Sequence, residues 1–288
     1  MLKALLLFSL SFVSGCSPGH AVEFFLLHHD FSLTRDLAYG RDAREHLDIY
    51  RPRAAGAAPV VIFLYGGRWQ YGSRQQYHLV GQALTGRGLV AVLPDYRLYP
   101  QVVFPAWVED AARVVRWVHD SISSYGGDPE RIFLVGHSSG AHTAVLLGLD
   151  QQYLRRAGVP DGTVRGVVSL AGPVATAWTD SDIQALMGPP DNWRATYPLE
   201  HADGSGPPLL LLHGAQDKTV AAQNSIRLES RVRDRGGCAR VILYRSLNHV
   251  GIVIALAAPA LDIAPVLEEI VRFVRNPERT CGTHSRPQ

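Results

Sequence analysis

Six short runs of apolar residues, most of them separated by stretches with helical spacing, restrict the fold of this chain more than any other feature. The runs cover residues 59–65, 89–94, 131–136, 164–172, 207–214 and 240–245. Strands buried on both faces have this uninterrupted apolar character, because helices cover both sides of a parallel sheet. The helical stretches cover residues 76–86, 105–122, 141–149, 221–235 and 262–274. Their alternation predicts an α/β fold, a mostly parallel central sheet with helices on both faces.

Two further strands are expected before the first apolar run. Residues 46–50 alternate between polar and apolar side chains, and residues 35–39 are a weaker candidate. We expect short antiparallel strands here, at the N-terminal edge of a sheet of about eight strands. Residues 173–206 contain two tryptophans and a Pro-Pro pair but no clear strand. A stretch of this length without regular structure is usually functional, so it predicts a small cap inserted into a single domain. A plain surface excursion is the alternative.

The N-terminus has the layout of a secretory signal peptide. Lys3 precedes an apolar stretch over residues 4–13, which is too short to span a bilayer. The sequence Val-Ser-Gly-Cys that ends at Cys16 looks like a bacterial lipobox. We therefore expect residues 1–15 to be removed, leaving residues 16–288 as a chain exported from a bacterial cytoplasm and anchored to the cell envelope by a lipid on Cys16. An ordinary signal peptide, giving a periplasmic or secreted soluble protein, is the alternative.

Composition and motifs argue against several partners and cofactors. The net charge is +2, and no run of Lys or Arg marks a nucleic-acid-binding surface. Neither CxxC nor HExxH occurs, so we expect no metal and no other cofactor. Cys238 and Cys281 are candidates for a disulfide in an exported protein, and two free thiols are the alternative because sequence does not fix their distance. The sequence makes no prediction about the oligomeric state.

The sequence Gly-His-Ser-Ser-Gly over residues 136–140 predicts a serine nucleophile at Ser138. It matches G-x-S-x-G, follows an apolar strand and precedes a helix. In this motif the strand turns sharply into the helix, and the glycines remove side chains that would collide there. The serine hydroxyl is then exposed at a helix N-terminus, where the helix dipole favours developing negative charge. The motif alone is weak evidence, and the strand and helix around it give it weight.

A serine hydroxyl needs a base, and this fold places an acidic residue and then a histidine after the serine along the chain. Asp217 follows the apolar run 207–214, and His249 follows the run 240–245. Both positions lie after strand ends, where ligands bind in such sheets. We therefore predict Asp217 as the orienting carboxylate and His249 as the base. His201 is the alternative base, and Asp191 and Asp203 are alternative carboxylates.

The apolar run 59–65 ends in Gly66 and Gly67, which predicts one wall of an oxyanion hole. Acyl transfer generates an oxyanion that needs N–H donors about 3 Å away. Glycines let the backbone approach the acyl oxygen without a Cβ in between. We expect donors from the backbone N–H groups of Gly67 and Arg68, with Gly66 shaping the turn. Another donor should be the N–H group of Ser139, the residue after the nucleophile.

These motifs resemble those of the α/β-hydrolase superfamily, close to its bacterial carboxylesterases of the hormone-sensitive-lipase and feruloyl-esterase-like type. Beyond residues 136–140, the resemblance includes Tyr-Gly-Gly-Arg-Trp over residues 65–69 against a family His-Gly-Gly-x-Trp. It also includes Asp-Tyr-Arg-Leu-Tyr-Pro over residues 95–100 and the Tyr-Gly-Gly-Asp-Pro turn over residues 125–129. The resemblance implies Ser138 as nucleophile, His249 as base and Asp217 as orienting residue. Tyr65 departs from the family, which usually has His there.

The resemblance implies a serine hydrolase that cleaves a small-molecule carboxylic ester through an acyl-enzyme intermediate. Aromatic residues beside the motifs and in the cap are candidates for the substrate pocket: Trp69, Tyr71, Trp178 and Trp193. Ordinary core packing is the alternative role for them. Related sequences include arylformamidases, so hydrolysis of a formamide is one competing function. A non-catalytic binding protein on a hydrolase fold is another.

Overall fold

The computed structural model describes residues 31–53, 56–175 and 177–281. For the two residues at the end of the last range, Thr280 and Cys281, it describes the backbone alone. Its described residues form one eight-stranded sheet in the spatial order β1-β2-β4-β3-β5-β6-β7-β8. The predicted signal peptide and Cys16 lie outside the described residues. The strands are β1 Phe31–Ala38, β2 His46–Pro52, β3 Ala58–Leu64, β4 Val90–Pro94, β5 Gly127–His137, β6 Val164–Leu170, β7 Leu209–Gly214 and β8 Ala239–Tyr244.

The sheet is parallel from β4 to β8 and antiparallel at its N-terminal edge, as the sequence predicted. Strand β2 pairs with β1 and with β4 in antiparallel fashion, with Leu47 opposite Pro94. Strands β3 to β8 then pair in parallel. Every residue of β4 and of β7 is buried. Because successive side chains of a strand point to opposite faces, both faces of the sheet are covered at these strands.

The α-helices of the described chain follow the alternation that the sequence predicted. The second of them illustrates why they form, because its buried residues recur at helical spacing: Trp107, Val108, Ala111, Val114, Val115 and Val118. The helices are α1 His78–Thr85, α2 Ala106–Ser121, α3 Ser139–Leu149, α4 Gln152–Arg156, α5 Ser181–Met187, α6 Gln223–Asp234, α7 Gly251–Ala257 and α8 Val266–Arg275. None of the described helices is long and apolar enough to cross a bilayer.

Several helix boundaries differ from the expected ones. The helix predicted over residues 76–86 begins with a 3₁₀ turn at Arg74–Tyr77 and becomes α-helical at α1. Helix α7 was not predicted, because its sequence Gly-Ile-Val-Ile-Ala-Leu-Ala is apolar on all sides and carries no periodicity. Asn248 marks its start by accepting a hydrogen bond from the Gly251 N–H at 2.8 Å. The final helix begins four residues later than predicted, after Pro265.

The predicted cap forms the connection between β6 and β7. It contains helix α5 and two 3₁₀ helices, Pro190–Thr196 and Pro198–His201. The side chain of Asp180 caps α5 by accepting the Asp182 N–H at 2.9 Å. His142 in α3 ties the cap to the central domain, because its Nε2 lies 2.7 Å from the Thr196 carbonyl oxygen. The cap therefore stands directly over the N-terminal half of α3.

Two ion-pair clusters with buried carboxylates hold the segment that follows β4. In the first, Arg74 contacts Asp95 and Asp48, and all three side chains are at most 8% exposed. In the second, Asp110 of α2 is fully buried and accepts hydrogen bonds from the Arg97 backbone N–H at 2.8 Å and from its guanidinium. The Asp-Tyr-Arg-Leu-Tyr-Pro motif thus supplies two charged residues, Asp95 and Arg97, whose ion pairs fix the backbone of the motif after the carboxyl end of β4.

Candidate active site

Ser138 lies at a sharp turn between β5 and α3. Its backbone has φ of 55° and ψ of −120°, a strained conformation for a residue with a side chain. The turn is held in this conformation because the backbone at Gly136 and Gly140, on either side of Ser138, packs closely against neighbouring backbone. A Cβ on Gly140 would lie 2.1 Å from the Leu64 carbonyl oxygen, and one on Gly136 would lie 2.3 Å from the Gly140 carbonyl oxygen. Only glycine fits at either position, which explains the spacing of the motif.

The structure brings Ser138, His249 and Asp217 into one hydrogen-bonded chain. His249 Nε2 lies 2.9 Å from Ser138 Oγ, and His249 Nδ1 lies 2.7 Å from Asp217 Oδ2. The three residues come from loops after β5, β7 and β8, as the sequence predicted. With the Nδ1 proton donated to the carboxylate, Nε2 is left to accept the proton of the serine hydroxyl. This is the arrangement that general-base activation of a serine needs.

Asp217 is held as an ionised carboxylate although its side chain is fully buried. Burial by itself would raise its pKa, but hydrogen bonds from the Val220 N–H, from His249 and from the Thr219 N–H together lower the pKa of Asp217. Both backbone donors reach Oδ1 at 2.9 Å. His213 lies 3.3 Å from Oδ2, and burial lowers the pKa of His213. The carboxylate is therefore fixed on both oxygens.

His137 supports the base from the other side. Its Nε2 lies 3.0 Å from the backbone carbonyl oxygen of His249, and the two rings are 5.0 Å apart. Burial lowers the pKa of His137 to about 4, so this imidazole is neutral at pH 7 and donates its Nε2 proton to the carbonyl. The residue before the nucleophile therefore positions the loop that carries the base.

The loop after β3 has the backbone conformation of a tight turn beside Ser138. Gly67 has φ of 140°, and its carbonyl oxygen accepts the Gln70 and Tyr71 N–H groups. A Cβ on Gly67 would lie 2.1 Å from the Tyr71 carbonyl oxygen. Arg68 follows with φ of 56°. A Cβ on Gly66 would lie 3.0 Å from the Ser138 Cβ, which places this loop against the nucleophile.

The N–H groups of this loop divide into two sets. Burial raises the pKa of Tyr77, and a hydrogen bond from the Gly66 backbone opposes this rise. Gly66 is thus engaged with the Tyr77 hydroxyl. Gly67, Arg68 and Ser139, the residue after the nucleophile, are left as the candidate oxyanion donors. The Trp69 carbonyl accepts the Tyr99 N–H at 2.9 Å, so the segment after β4 braces the same loop.

Tyr65 is a structural residue in this chain. It is 1% exposed and stacks on Tyr96, with ring centroids 4.6 Å apart. Its hydroxyl accepts a hydrogen bond from Arg44 at 2.7 Å, and the Tyr96 hydroxyl donates to the Tyr65 carbonyl oxygen at 2.7 Å. Arg44 also donates to the Gly72 carbonyl oxygen. The tyrosine in place of the family histidine is therefore built into the support of the loop through Arg44 and Tyr96.

A cavity of about 460 Å³ opens at Ser138. Trp69 and Trp178 form part of its wall, and both are buried. The two rings meet edge to face at 5.9 Å, and each indole N–H is satisfied, by Thr143 and by Thr196 respectively. The cap contributes Asp180 and Ile183 to the lining, and the loop after Asp217 contributes Lys218 to Ala221.

Two of the predicted pocket residues do not line this cavity. Tyr71 is 66% exposed, because the turn that closes on the Gly67 carbonyl directs its side chain outward. Trp193 is half-buried in the cap, where its indole N–H donates to the Gly188 carbonyl oxygen at 2.8 Å. The prediction was wrong for both, because aromatic composition beside a motif does not reveal the direction of a side chain.

The alternative triad residues make other contacts. His201 Nε2 lies 3.1 Å from the Ala195 carbonyl oxygen and its Nδ1 lies 3.5 Å from Asp150. Asp203 accepts hydrogen bonds from Ser205. Asp191 is exposed in a 3₁₀ helix of the cap. No pattern in the sequence points to Asp180 or Lys218 as a site residue, although Lys218 follows Asp217 directly.

The remaining site predictions concern cysteines and metals. Cys238 is disulfide-bonded, while the side chain of Cys281 lies outside the described part of the chain, so their pairing stays a prediction. Within residues 31–53, 56–175 and 177–281, no group of three or more His, Cys, Asp or Glu is arranged to hold a metal ion.

Known proteins resemble this chain in sequence. It is 28% identical over 253 residues to a probable isoprenylcysteine alpha-carbonyl methylesterase, ICMEL1, of Arabidopsis thaliana, covering 75% of this chain and 50% of the relative. It is 30% identical over 247 residues to esterase LipQ of Mycobacterium tuberculosis, covering 78% of this chain and 58% of the relative. The chain therefore spans roughly half the length of these curated relatives.

Solved structures and a family model complete the comparison. A truncated carbohydrate esterase from gut microbiota superimposes with a TM-score of 0.74 at 20% identity, covering 85% of this chain and 95% of the other. An esterase of Pyrobaculum calidifontis gives 0.70 at 22% identity, covering 86% of each chain. These likenesses show that the fold is that of the α/β-hydrolases. The model of the BD-FAE family matches residues 47–232, and the chain belongs to that family.

Proposed function

We propose that the protein is a serine hydrolase that cleaves carboxylic esters through an acyl-enzyme intermediate. The observation that carries the proposal is the hydrogen-bonded chain from Ser138 Oγ through His249 to Asp217, with distances of 2.9 and 2.7 Å. The esterase names of the relatives and structural neighbours support the same reaction class.

In this mechanism His249 accepts the proton of Ser138 while Oγ attacks the ester carbonyl. The ionised carboxylate of Asp217 stabilises the imidazolium that forms. The oxyanion receives hydrogen bonds from the N–H groups of Gly67, Arg68 and Ser139. His249 then returns the proton to the leaving alkoxide, and a water activated by the same imidazole hydrolyses the acyl-enzyme.

The test is hydrolysis of 4-nitrophenyl acetate, butyrate and octanoate by the protein and by its Ser138→Ala and His249→Ala variants. We expect both variants to lose at least about a thousandfold in kcat, since the triad acts as a unit. A fluorophosphonate probe should label the unaltered protein and leave Ser138→Ala unlabelled. Equal hydrolysis by Ser138→Ala, or labelling that survives the substitution, would overturn the mechanism.

Formamide hydrolysis and non-catalytic binding are the other outcomes of this experiment. The same triad can attack an aryl formamide, so N-formylkynurenine is included in the panel. Turnover of that compound without turnover of any ester would assign an arylformamidase. Folded protein that neither hydrolyses the panel nor reacts with the fluorophosphonate would assign a binding function.

We propose that export and lipidation at Cys16 place this hydrolase on the cell envelope. The proposal is supported by the order of Lys3, an apolar stretch and Val-Ser-Gly-Cys in the sequence. Expression of the full chain in a bacterium with radioactive palmitate should label the protein and sediment it with membranes. The Cys16→Ser variant should lose the label. Labelling that persists in this variant would refute the assignment.

A further inference from the structure

Lys218 is exceptional in the composition of this chain. Of the 28 basic residues, 26 are arginine, and the two lysines are Lys3 and Lys218. Lys218 follows the carboxylate that orients His249, and it is exposed. It lines the Ser138 cavity and also the neighbouring cavity that contains His249. The ammonium group of Lys218 thus lies between the cavity at Ser138 and the cavity at His249, which we call the two openings of the catalytic centre.

Arg68 and Lys218 are the two cations that line the Ser138 cavity. Arg68 lines the same cavity, and its guanidinium is bonded to Asp180 of the cap at 2.8 Å. Among the ionisable side chains that line the cavity, these two form a pair and Lys218 is left over. No carboxylate within the described ranges lies within ion-pair distance of Lys218. The rim therefore carries a cation without an ion-pair partner beside the nucleophile, while the nearby Asp217 carboxylate is engaged by His249 and two backbone N–H groups.

Much of the remaining wall of the cavity is apolar. Its wall includes Trp69, Trp178 and Ile183, which are buried and apolar. Such a wall binds the uncharged part of a ligand, and polar groups at the rim then fix its orientation. A lysine suits the rim, because its compact ammonium on a flexible stem reaches a range of positions.

We propose that the site prefers esters that carry a carboxylate, and that Lys218 is the residue that recognises this anionic group. This inference rests on the proposed esterase function and specifies its substrate class. Arg68 is the second cation of this cavity, and its charge is paired with Asp180. The carboxylate belongs to the acyl part or to the alcohol part of the ester, because Lys218 faces both openings.

The kinetic test compares charged esters with neutral esters of the same shape. Monomethyl adipate and its terminal amide differ in charge on the acyl side, and 5-acetoxypentanoate and its amide differ on the alcohol side. The measured quantity is the ratio of kcat/KM for the acid to kcat/KM for the amide. We expect this ratio to fall about two- to fivefold in Lys218→Gln for one of the two pairs, and to be retained in Lys218→Arg.

Ionic strength and a substitution in the cap give two further tests of the acid-to-amide ratio. The preference for the acid should weaken as NaCl is raised from 20 to 500 mM, because rim charges are screened. Asp180→Asn keeps a residue that caps α5 well and releases Arg68. This variant should raise the acid-to-amide ratio. A ratio that is the same in the unaltered protein, Lys218→Gln and Asp180→Asn for both pairs overturns the proposal.

A binding measurement separates this inference from the proposed function. Ser138→Ala cannot form an acyl-enzyme, so calorimetry can compare its affinity for monomethyl adipate, 5-acetoxypentanoate and their amides. Tighter binding of either acid that disappears in Ser138→Ala/Lys218→Gln supports anion recognition, even if the protein turns over no ester. Equal affinity for acid and amide in both pairs contradicts it, whatever the esterase assay shows.

Discussion

Replacing Asp110 by Asn tests whether the buried ion pair behind the oxyanion loop stabilises the fold. Asp110 is fully buried in α2, and its two oxygens accept the Arg97 backbone N–H, the Arg97 guanidinium and Arg113. Asparagine has nearly the same shape but keeps one acceptor oxygen and presents an NH₂ group in place of the other. The Arg97 N–H groups that pointed at the replaced oxygen then face the NH₂ group, which is also a donor. The guanidinium of Arg97 also loses its buried counter-charge.

The magnitude follows from the bonds that are lost. Oδ2 receives the Arg97 backbone N–H at 2.8 Å, and the Arg97 Nε–H is shared between Oδ2 at 3.0 Å and Oδ1 at 3.1 Å. Each hydrogen bond to a charged group contributes about 1.5–3 kcal/mol, so losing the backbone bond, weakening the shared bond and removing the negative charge together predict about 3–5 kcal/mol of destabilisation. Removing one partner of a buried ion pair costs about the same. At about 2–4 °C per kcal/mol for a domain of this size, Tm should fall by roughly 6–20 °C.

The same helix supplies the control. Asp120 lies in α2, accepts from Arg116 one turn earlier and is 42% exposed. An exposed pair of this kind contributes at most about 0.5 kcal/mol. Asp120→Asn should therefore unfold within about 2 °C of the unaltered protein. Urea and thermal unfolding of both variants, followed by tryptophan fluorescence and circular dichroism, give the comparison.

The two variants also separate stability from loop support. Arg97 fixes the segment whose Tyr99 N–H donates to the Trp69 carbonyl oxygen. Asp110→Asn should thus lower kcat at 20 °C, where the variant is still folded, and Asp120→Asn should leave kcat as it is. If Asp110→Asn unfolds within 1 kcal/mol of the unaltered protein, the reasoning about this cluster is refuted.

Three further predictions concern the site and its surroundings. Burial lowers the pKa of His142 to about 4, below the value of about 6.5 in an unfolded chain. The unfolded state therefore binds the extra proton, and this histidine removes up to about 3 kcal/mol of stability as pH falls from about 6.5 to about 4. Urea midpoints measured between pH 7 and pH 4 should fall less steeply in His142→Gln, and parallel slopes would contradict the assignment. Gly67→Ala should lower kcat on 4-nitrophenyl butyrate by at least about a hundredfold, because a Cβ would displace the oxyanion donors. An unchanged kcat would remove Gly67 from the oxyanion hole. Trp178→Ala should raise the kcat/KM ratio of octanoate to butyrate esters by enlarging the cavity, and a constant ratio would show that the acyl chain lies elsewhere.

The sequence predicted what local chemistry and chain order determine. The strained turn at Ser138 needs glycine on both sides, so its motif can be read from five letters. Asp217 and His249 could be placed because each follows an apolar strand and because parallel strands end at one edge of the sheet. The sheet itself followed from continuous apolar runs, whose length and character are properties of single segments.

Other features depend on contacts between distant segments. The role of Tyr65 is set by Arg44 and Tyr96, which lie 21 residues before it and 31 residues after it. Tyr71 points to solvent because of a turn that closes on a backbone carbonyl, which no side-chain pattern reveals. Helix α7 escaped prediction because an apolar segment without periodicity fits a strand as well as a helix.

The position of β8 at the edge of the sheet has a consequence for how this protein loses activity. The base His249 lies in the loop that follows β8, and β8 pairs with β7 alone in the described sheet. Ser138 instead follows β5, which lies in the middle of the sheet. Sheet edges open more readily than central strands. Catalysis should therefore vanish in mild denaturant before the buried tryptophans report unfolding, so that enzyme activity measures fraying of one strand while fluorescence measures loss of the core.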